Sequence, residues 1–133
     1  MSTITTSGKR KQSIARAVLS EGKGVVRINR ILLSTYEPEL LKMKIMEPLI
    51  LADKVAPRVD ISVNVMGGGI TSQAEAVRLA IARGLVKFSQ DPSLEKLFDD
   101  YDRNLLVADV RHKEARKPNT NSKARAKKQK SYR

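Results

Sequence analysis

Gly8-Lys9-Arg10-Lys11 sets three cations in a row, with Arg16 close behind, and Gly67-Gly68-Gly69 stands at the head of a segment with helical spacing. At the far end, Ser122 to Arg133 reads SKARAKKQKSYR, in which six of twelve residues are Lys or Arg and none is acidic. Groups of this kind bind anions and break no bonds. Guanidinium and ammonium groups give charge-assisted hydrogen bonds to phosphate oxygens. Glycines ahead of a helix let a phosphate approach free backbone N–H groups. The ring of Tyr132 can stack on a base or ribose.

The residues that catalysis or metal binding would need are missing or isolated. The chain has no Cys and one His, His112, which sits among cations. Gly67-Gly68-Gly69 is not followed by Gly-Lys-Ser/Thr, so a P-loop is excluded, and the dinucleotide fingerprint is absent as well. The glycines have three readings, a strand-to-helix turn needing positive φ, a backbone cradle for an RNA phosphate and, the least favoured, a site for a free nucleotide. Asp99-Asp100-Tyr101-Asp102 lacks EF-hand spacing and reads as a solvated helix end. No nucleophile elbow is present. We therefore expect no enzyme, no metal, no cofactor and no small-molecule substrate.

Charge and length narrow the partner. The 133 residues carry 26 Lys and Arg against 14 Asp and Glu, a formal charge of +12. From Arg111 to Arg133 there are ten basic residues and one acid, Glu114, so most of the excess lies in the last part of the chain. A segment so charged and so poor in apolar groups cannot offset its ordering entropy and should order only on a partner. This divides the chain into a globular body, 1–110, and an extended basic tail, 111–133. The tail has no membrane-seeking face, which favours RNA over lipid. The purest apolar run, Leu49-Ile50-Leu51-Ala52, is far too short to span a bilayer, and the first residues do not read as a signal peptide. A soluble chain working inside the cell is expected.

The body must hold the anion-binding groups in place. Ser13–Ser20 alternates as a strand and Glu21–Gly24 as a turn. Val25–Asn29 is a second strand, pairing with the first as a hairpin, and Thr3–Thr6 can add a short one. Tyr36–Val55 favours helix, but Pro38 and Pro48 predict two short helices. Arg58–Met66 alternates cleanly, with Val59, Ile61, Val63 and Val65 on one side. A long helix follows from about Thr71 to Phe88. Ser72 and Glu75 form its capping box, and Ala74, Val77, Ile81, Leu85 and Phe88 form its core stripe. Asp91-Pro92 stops it, and Ser93–Tyr101 is a further short helix. The sum is an α+β two-layer sandwich.

These pieces, in order, resemble the ninth small-subunit ribosomal protein family in its archaeal and eukaryotic form. Gly8-Lys9-Arg10-Lys11 with Ser13-Ile14-Ala15-Arg16-Ala17 is similar to its N-terminal signature. Gly22-Lys23-Gly24 with Val26-Arg27-Ile28-Asn29 is similar to its first hairpin. Gly67 through Ala74 and on to Ile81-Ala82-Arg83 is similar to its glycine turn and long helix, and Gln129-Lys130-Ser131-Tyr132-Arg133 to its end. Where the family carries Gly after the hairpin Asn, this chain has Arg30. After Lys117-Pro118, where the family often has Gly, it has Asn119-Thr120-Asn121-Ser122.

The resemblance implies a fold like the second domain of the fifth small-subunit protein, with a left-handed βαβ unit. It implies a cytoplasmic constituent of the small-subunit head, bound to its rRNA and beside other head proteins. Lys9, Arg10, Lys11, Arg16, Gly67, Gly68, Gly69, Arg111, Lys113, Arg116, Lys117, Lys123 and Arg125 become rRNA contacts. Lys127, Lys128, Lys130, Tyr132 and Arg133 become the set nearest the anticodon stem-loop of P-site tRNA. A sugar or mevalonate-type kinase fragment shares this fold type and a glycine-rich loop, but the phosphate-loop hydroxyls and a catalytic base are missing here. A free RNA chaperone would fit the charge, and would bind any duplex alike.

Overall fold

The structure, a computed structural model, describes residues 3–119 and 123–125. Ile4–Arg10 (β1) and Ser13–Glu21 (β2) form a hairpin through the turn Lys11-Gln12. Val26–Ile28 (β3) and Ile31–Leu32 (β4) form a second, much shorter hairpin. Next come the helix Glu39–Leu51 (α1) and the strand Val59–Met66 (β5). Two helices complete the body, Ile70–Ser89 (α2) and Pro92–Tyr101 (α3). The five strands lie in the order β1-β2-β5-β3-β4, and only the β3–β5 pair is parallel.

The expected pairing of β2 with β3 is overturned. β5 lies between them, with Ala17 opposite Val63 on one side and Ile28 beside Val63 on the other. The physical reason is Asp60. Its Oδ1 accepts hydrogen bonds from the backbone N–H groups of Lys23, Gly24 and Val25, at 2.9, 3.1 and 3.0 Å. The 22–25 segment is thus carried across the start of β5 and does not fold back on β2. A Cβ on Gly22 would lie 2.1 Å from Asp60 Cγ, so the crossing needs glycine there. The short strand expected at Thr3–Thr6 is a seven-residue one, Ile4–Arg10, which leaves out Thr3 and takes in Lys9 and Arg10.

Period-two alternation sorts the sheet into two faces. Ala15, Ala17, Leu19, Val59, Ile61, Val63 and Val65 are buried, while Arg16, Ser62 and Asn64 on the other face are exposed. The helices cover only the buried face, which gives the expected α+β arrangement. α2 lies along β1 and β2, α1 packs beside it, and α3 packs on both helices. β1 and α2 approach closely at Gly8, where a Cβ would meet the Ala76 carbonyl at 2.4 Å and the Ala80 nitrogen at 2.8 Å. Thr6 Oγ1 donates to the Ala80 carbonyl nearby, at 2.8 Å.

Two helix expectations need correction. The segment 36–55 holds one helix, Glu39–Leu51, with Pro48 inside it and Pro38 as its N-cap residue. An interior proline costs about 3 kcal/mol. It is outweighed because Leu41, Ile45 and Pro48 are all buried, at about 1.5–3 kcal/mol for each large apolar side chain. α2 starts at Gly69 without a side-chain cap, so Ser72 and Glu75 form no capping box. Glu75 instead accepts a hydrogen bond from Arg10 Nε at 2.8 Å. The core stripe holds at Ala74, Val77, Ile81 and Leu85, with Phe88 only partly buried. α2 is also buried at Ala76, Ala80, Ala82 and Gly84, because α1 and α3 enclose it.

Candidate nucleic-acid interface

Chain segments far apart in sequence meet at the start of α2. The β1–β2 turn supplies Lys11 and Gln12, the glycine turn supplies Gly68 and Gly69, and the segment after Val110 supplies Arg111, His112 and Lys113. With Arg10 and Ser72 they line an open basin of about 740 Å³. Its backbone is special. Gly67 and Gly68 have φ of +82° and +63°, and Lys11 itself has φ of +54°. A Cβ on Gly67 would lie 2.5 Å from the Gln12 carbonyl, and one on Gly68 would lie 2.2 Å from Ser13 Oγ. The two turns are therefore packed together so closely that only glycine fits. Ser13 Oγ and Gln73 Nε2 both donate to the Gly67 carbonyl, at 2.8 and 3.1 Å. That carbonyl is turned to partners within the chain, and the uncapped N–H end of α2 faces the basin. A helix N-terminus with cations around it favours an anion.

The cations differ in how free they are. Arg10 is held by Glu75 and lies 3.1 Å from Asp109 Oδ2 through Nη1. That second contact is an ion pair without hydrogen-bond alignment, since buried Nη1 finds no hydrogen-bond partner among the described residues. Arg111 grips the same Asp109, with Nη2 at 2.7 Å from Oδ2. Hydrogen bonds from the Arg111 side chain and backbone, and the charge of Arg10, hold the Asp109 carboxyl well below the usual carboxylate range. Asp109 thus clamps the root of the basic segment to β1. Lys11 and Lys113, both exposed, carry no ion pair among the described residues. The acidic organisers Glu75 and Asp109 were missed at the sequence level, as were Gln12, Ser72 and His112, because only the tertiary arrangement brings them here.

Lys9 and Arg16 lie apart from the basin, on the open face of the sheet. There Lys9 pairs in register with Ile14, and Arg16 with Ser7 and Asn64. The segment after Val110 has no helix or strand among its described residues. In it Arg125 Nη2 reaches Glu114 Oε1 at 2.7 Å, and the Lys117 N–H donates to the Lys123 carbonyl at 3.2 Å. Arg116 is exposed. Asn119 has φ of +67°, a left-handed conformation that glycine usually takes and asparagine tolerates. Lys127, Lys128, Lys130, Tyr132 and Arg133 lie outside the described residues. Among the described residues no group of His, Cys, Asp and Glu could hold a metal ion, and no helix is long and apolar enough to cross a membrane.

A family model described as ribosomal protein S9/S16 matches residues 8–133. A protein of Thermoplasma volcanium is 53% identical over 133 residues, the whole of both chains. One of Methanothrix thermoacetophila is 50% identical, again over the whole of both. A third, of Thermoplasma acidophilum, is 53% identical over 130 residues, which is 98% of this chain and all of the relative. Each relative bears the name small ribosomal subunit protein uS9.

Proposed function

Since the chain belongs to the ribosomal protein S9/S16 family, we propose that it holds small-subunit rRNA in the basin at the start of α2 and sends its last residues to P-site tRNA. Membership makes it a small-subunit ribosomal protein, an RNA-binding component of the translation machinery placed in the ribosome. Its relatives are named as subunit proteins and not as enzymes.

The observation that carries the finer reading is the meeting of Lys11, the glycine turn, Arg111 and Lys113 around one uncapped helix start. A phosphate there would take backbone N–H groups from α2 and charge from Lys11 and Lys113. Arg10 acts as a positioning residue, because Glu75 and Asp109 already occupy it. Lys9 and Arg16 give the open sheet face a second set of cations for rRNA. Arg116, Lys117, Lys123 and Arg125 continue the track, with Glu114 exchanged for phosphate at Arg125. α1 connects the parallel strands β3 and β5, as a βαβ unit requires; the left hand of that unit, and the likeness to the second domain of the fifth small-subunit protein, follow from the family resemblance. Placement in the head, beside other head proteins, follows from the family resemblance.

In sequence, Tyr132, Arg133 and the cations before them come well after Leu105 and Leu106, the last of the described residues to join the core. Deleting Ser131-Tyr132-Arg133 should leave the melting temperature and entry into small subunits unchanged. P-site tRNA affinity of those subunits should weaken by about 1–2 kcal/mol, the range for charge-assisted hydrogen bonds. Arg133→Lys should recover part of it, keeping the charge and losing the two-pronged contact. Equal tRNA affinity with and without the three residues would reduce the tail to an rRNA anchor.

A further inference from the structure

α1 is apolar on the wrong side as well as the right one. Leu41, Ile45 and Pro48 are buried, yet Leu40, Met43 and Ile50 on the outside are 71%, 57% and 64% exposed. Surface helices ordinarily carry polar residues on the face away from the core, and an all-round apolar helix is one that is covered on both sides. α3, which packs against α1, adds exposed Leu97 and Tyr101. Nothing in the fold explains this side, and exposed apolar groups gathered on adjoining helices mark interaction surfaces.

The charge around these helices identifies what covers them. Residues 36–57 and 90–110, which hold α1 and α3, carry ten Asp or Glu and five Lys or Arg. The rest of the chain carries four acidic and twenty-one basic residues. Glu37, Glu39, Asp53, Glu95, Asp99 and Asp100 are all exposed, and none forms an ion pair among the described residues. A phosphate backbone is repelled by such carboxylates and offers no aliphatic surface to Leu40 or Ile50. A second copy of the same face would set like charges together. A lipid surface with anionic headgroups meets the same repulsion.

We infer that the α1–α3 face docks a basic protein surface that presents aliphatic side chains, so that the molecule turns its cationic side to RNA and this side to a protein. The inference rests on the reading as a small-subunit protein only for the particle in which it is tested. The test uses two methionines on opposite sides of the body, Met43 on α1 and Met66 on the open sheet face, both exposed. A diazirine-bearing methionine analogue of nearly native size is incorporated at one position or the other. Small subunits containing the full chain are then purified and irradiated. The expected result is that position 43 gives adducts with a basic protein in large excess over RNA. Adducts from position 43 to RNA, to a second copy, or only to solvent overturn the inference while leaving the proposed function standing. Absence of both labelled chains from small subunits overturns both. The protein found in the adduct is then bound to the full chain in solution. Glu39→Gln, Asp99→Asn and Asp100→Asn together should weaken that binding several-fold at low salt and little at high salt. An unchanged affinity overturns the charge complementarity on which the choice of partner depends.

Discussion

Arg30 and Gly68 show what the backbone demands of single residues. The β3–β4 hairpin turns through Asn29 and Arg30, with φ of +50° and +70°, as a two-residue turn with both central residues left-handed. Asn29 is anchored, since its Oδ1 accepts from the Val65 N–H at 2.9 Å and its Nδ2 donates to the Val65 carbonyl at 3.1 Å. Arg30 has no such compensation among the described hydrogen bonds. A left-handed non-glycine residue costs about 1–2 kcal/mol, and glycine's greater freedom in the unfolded chain returns part of that. Arg30→Gly should therefore raise stability by about 0.5–1 kcal/mol in chemical denaturation, and a lower midpoint would contradict the turn. Gly68→Val meets both a positive φ and Ser13 Oγ, and should lower stability by roughly 1–3 kcal/mol. Gly69 has open space around its Cβ position and φ of −99°, so Gly69→Ala is the control that should change the melting temperature far less. The sequence marks Gly67-Gly68-Gly69 as a turn, but it does not say that the turn's neighbour is Ser13, because that contact spans 54 or more residues.

At the scale of elements, periodicity was informative and pairing was not. Alternation located β2 and β5 within a residue or so, and helical spacing located α2 and α3. Nothing in Val25–Asn29 distinguishes an antiparallel partner from a parallel one, because either leaves Val26 and Ile28 facing the core. The missing signal is the acid in the polar register of β5, opposite Gly22-Lys23-Gly24. Asp60→Asn removes charge from an acceptor of three backbone N–H groups and should lower the melting temperature at neutral pH. The hydrogen bond from Val25, then that from Lys23, lowers the Asp60 pKa below its ordinary 3.8. A lowered folded pKa means that the contribution is present above the unfolded value and is lost as pH falls through the folded one. The gap between wild type and Asp60→Asn should thus be full at neutral pH and close only in acid below about 4. A gap that widens in acid would contradict the role of the carboxylate. The basin was half readable for a related reason. Lys11, the glycines, Arg111 and Lys113 each suggested phosphate, but their convergence depends on where the β1–β2 turn lands on α2.

Across the whole molecule, charge is sorted by side, with cations on the basin, the open sheet face and the tail, and carboxylates on α1 and α3. Binding to single-stranded rRNA segments should release counterions, giving a log–log salt slope of roughly −4 for about six phosphate contacts. A nearly flat slope would mean that backbone charge is not the main source of affinity. The position of β5 has a further consequence, for the order in which the chain is made. The central strand of the sheet is synthesised after β1 to β4, and α2, which seals the core, comes later still. Until β5 has emerged, β2 has one bare edge and β3 has only the two-residue β4 beside it. A nascent chain that has not reached Met66 is therefore sticky along two strand edges, and its cationic end has not yet been translated. The residues of the core precede the densest run of cations in the chain, so the strand that completes the sheet is made before the segment most able to seize stray nucleic acid.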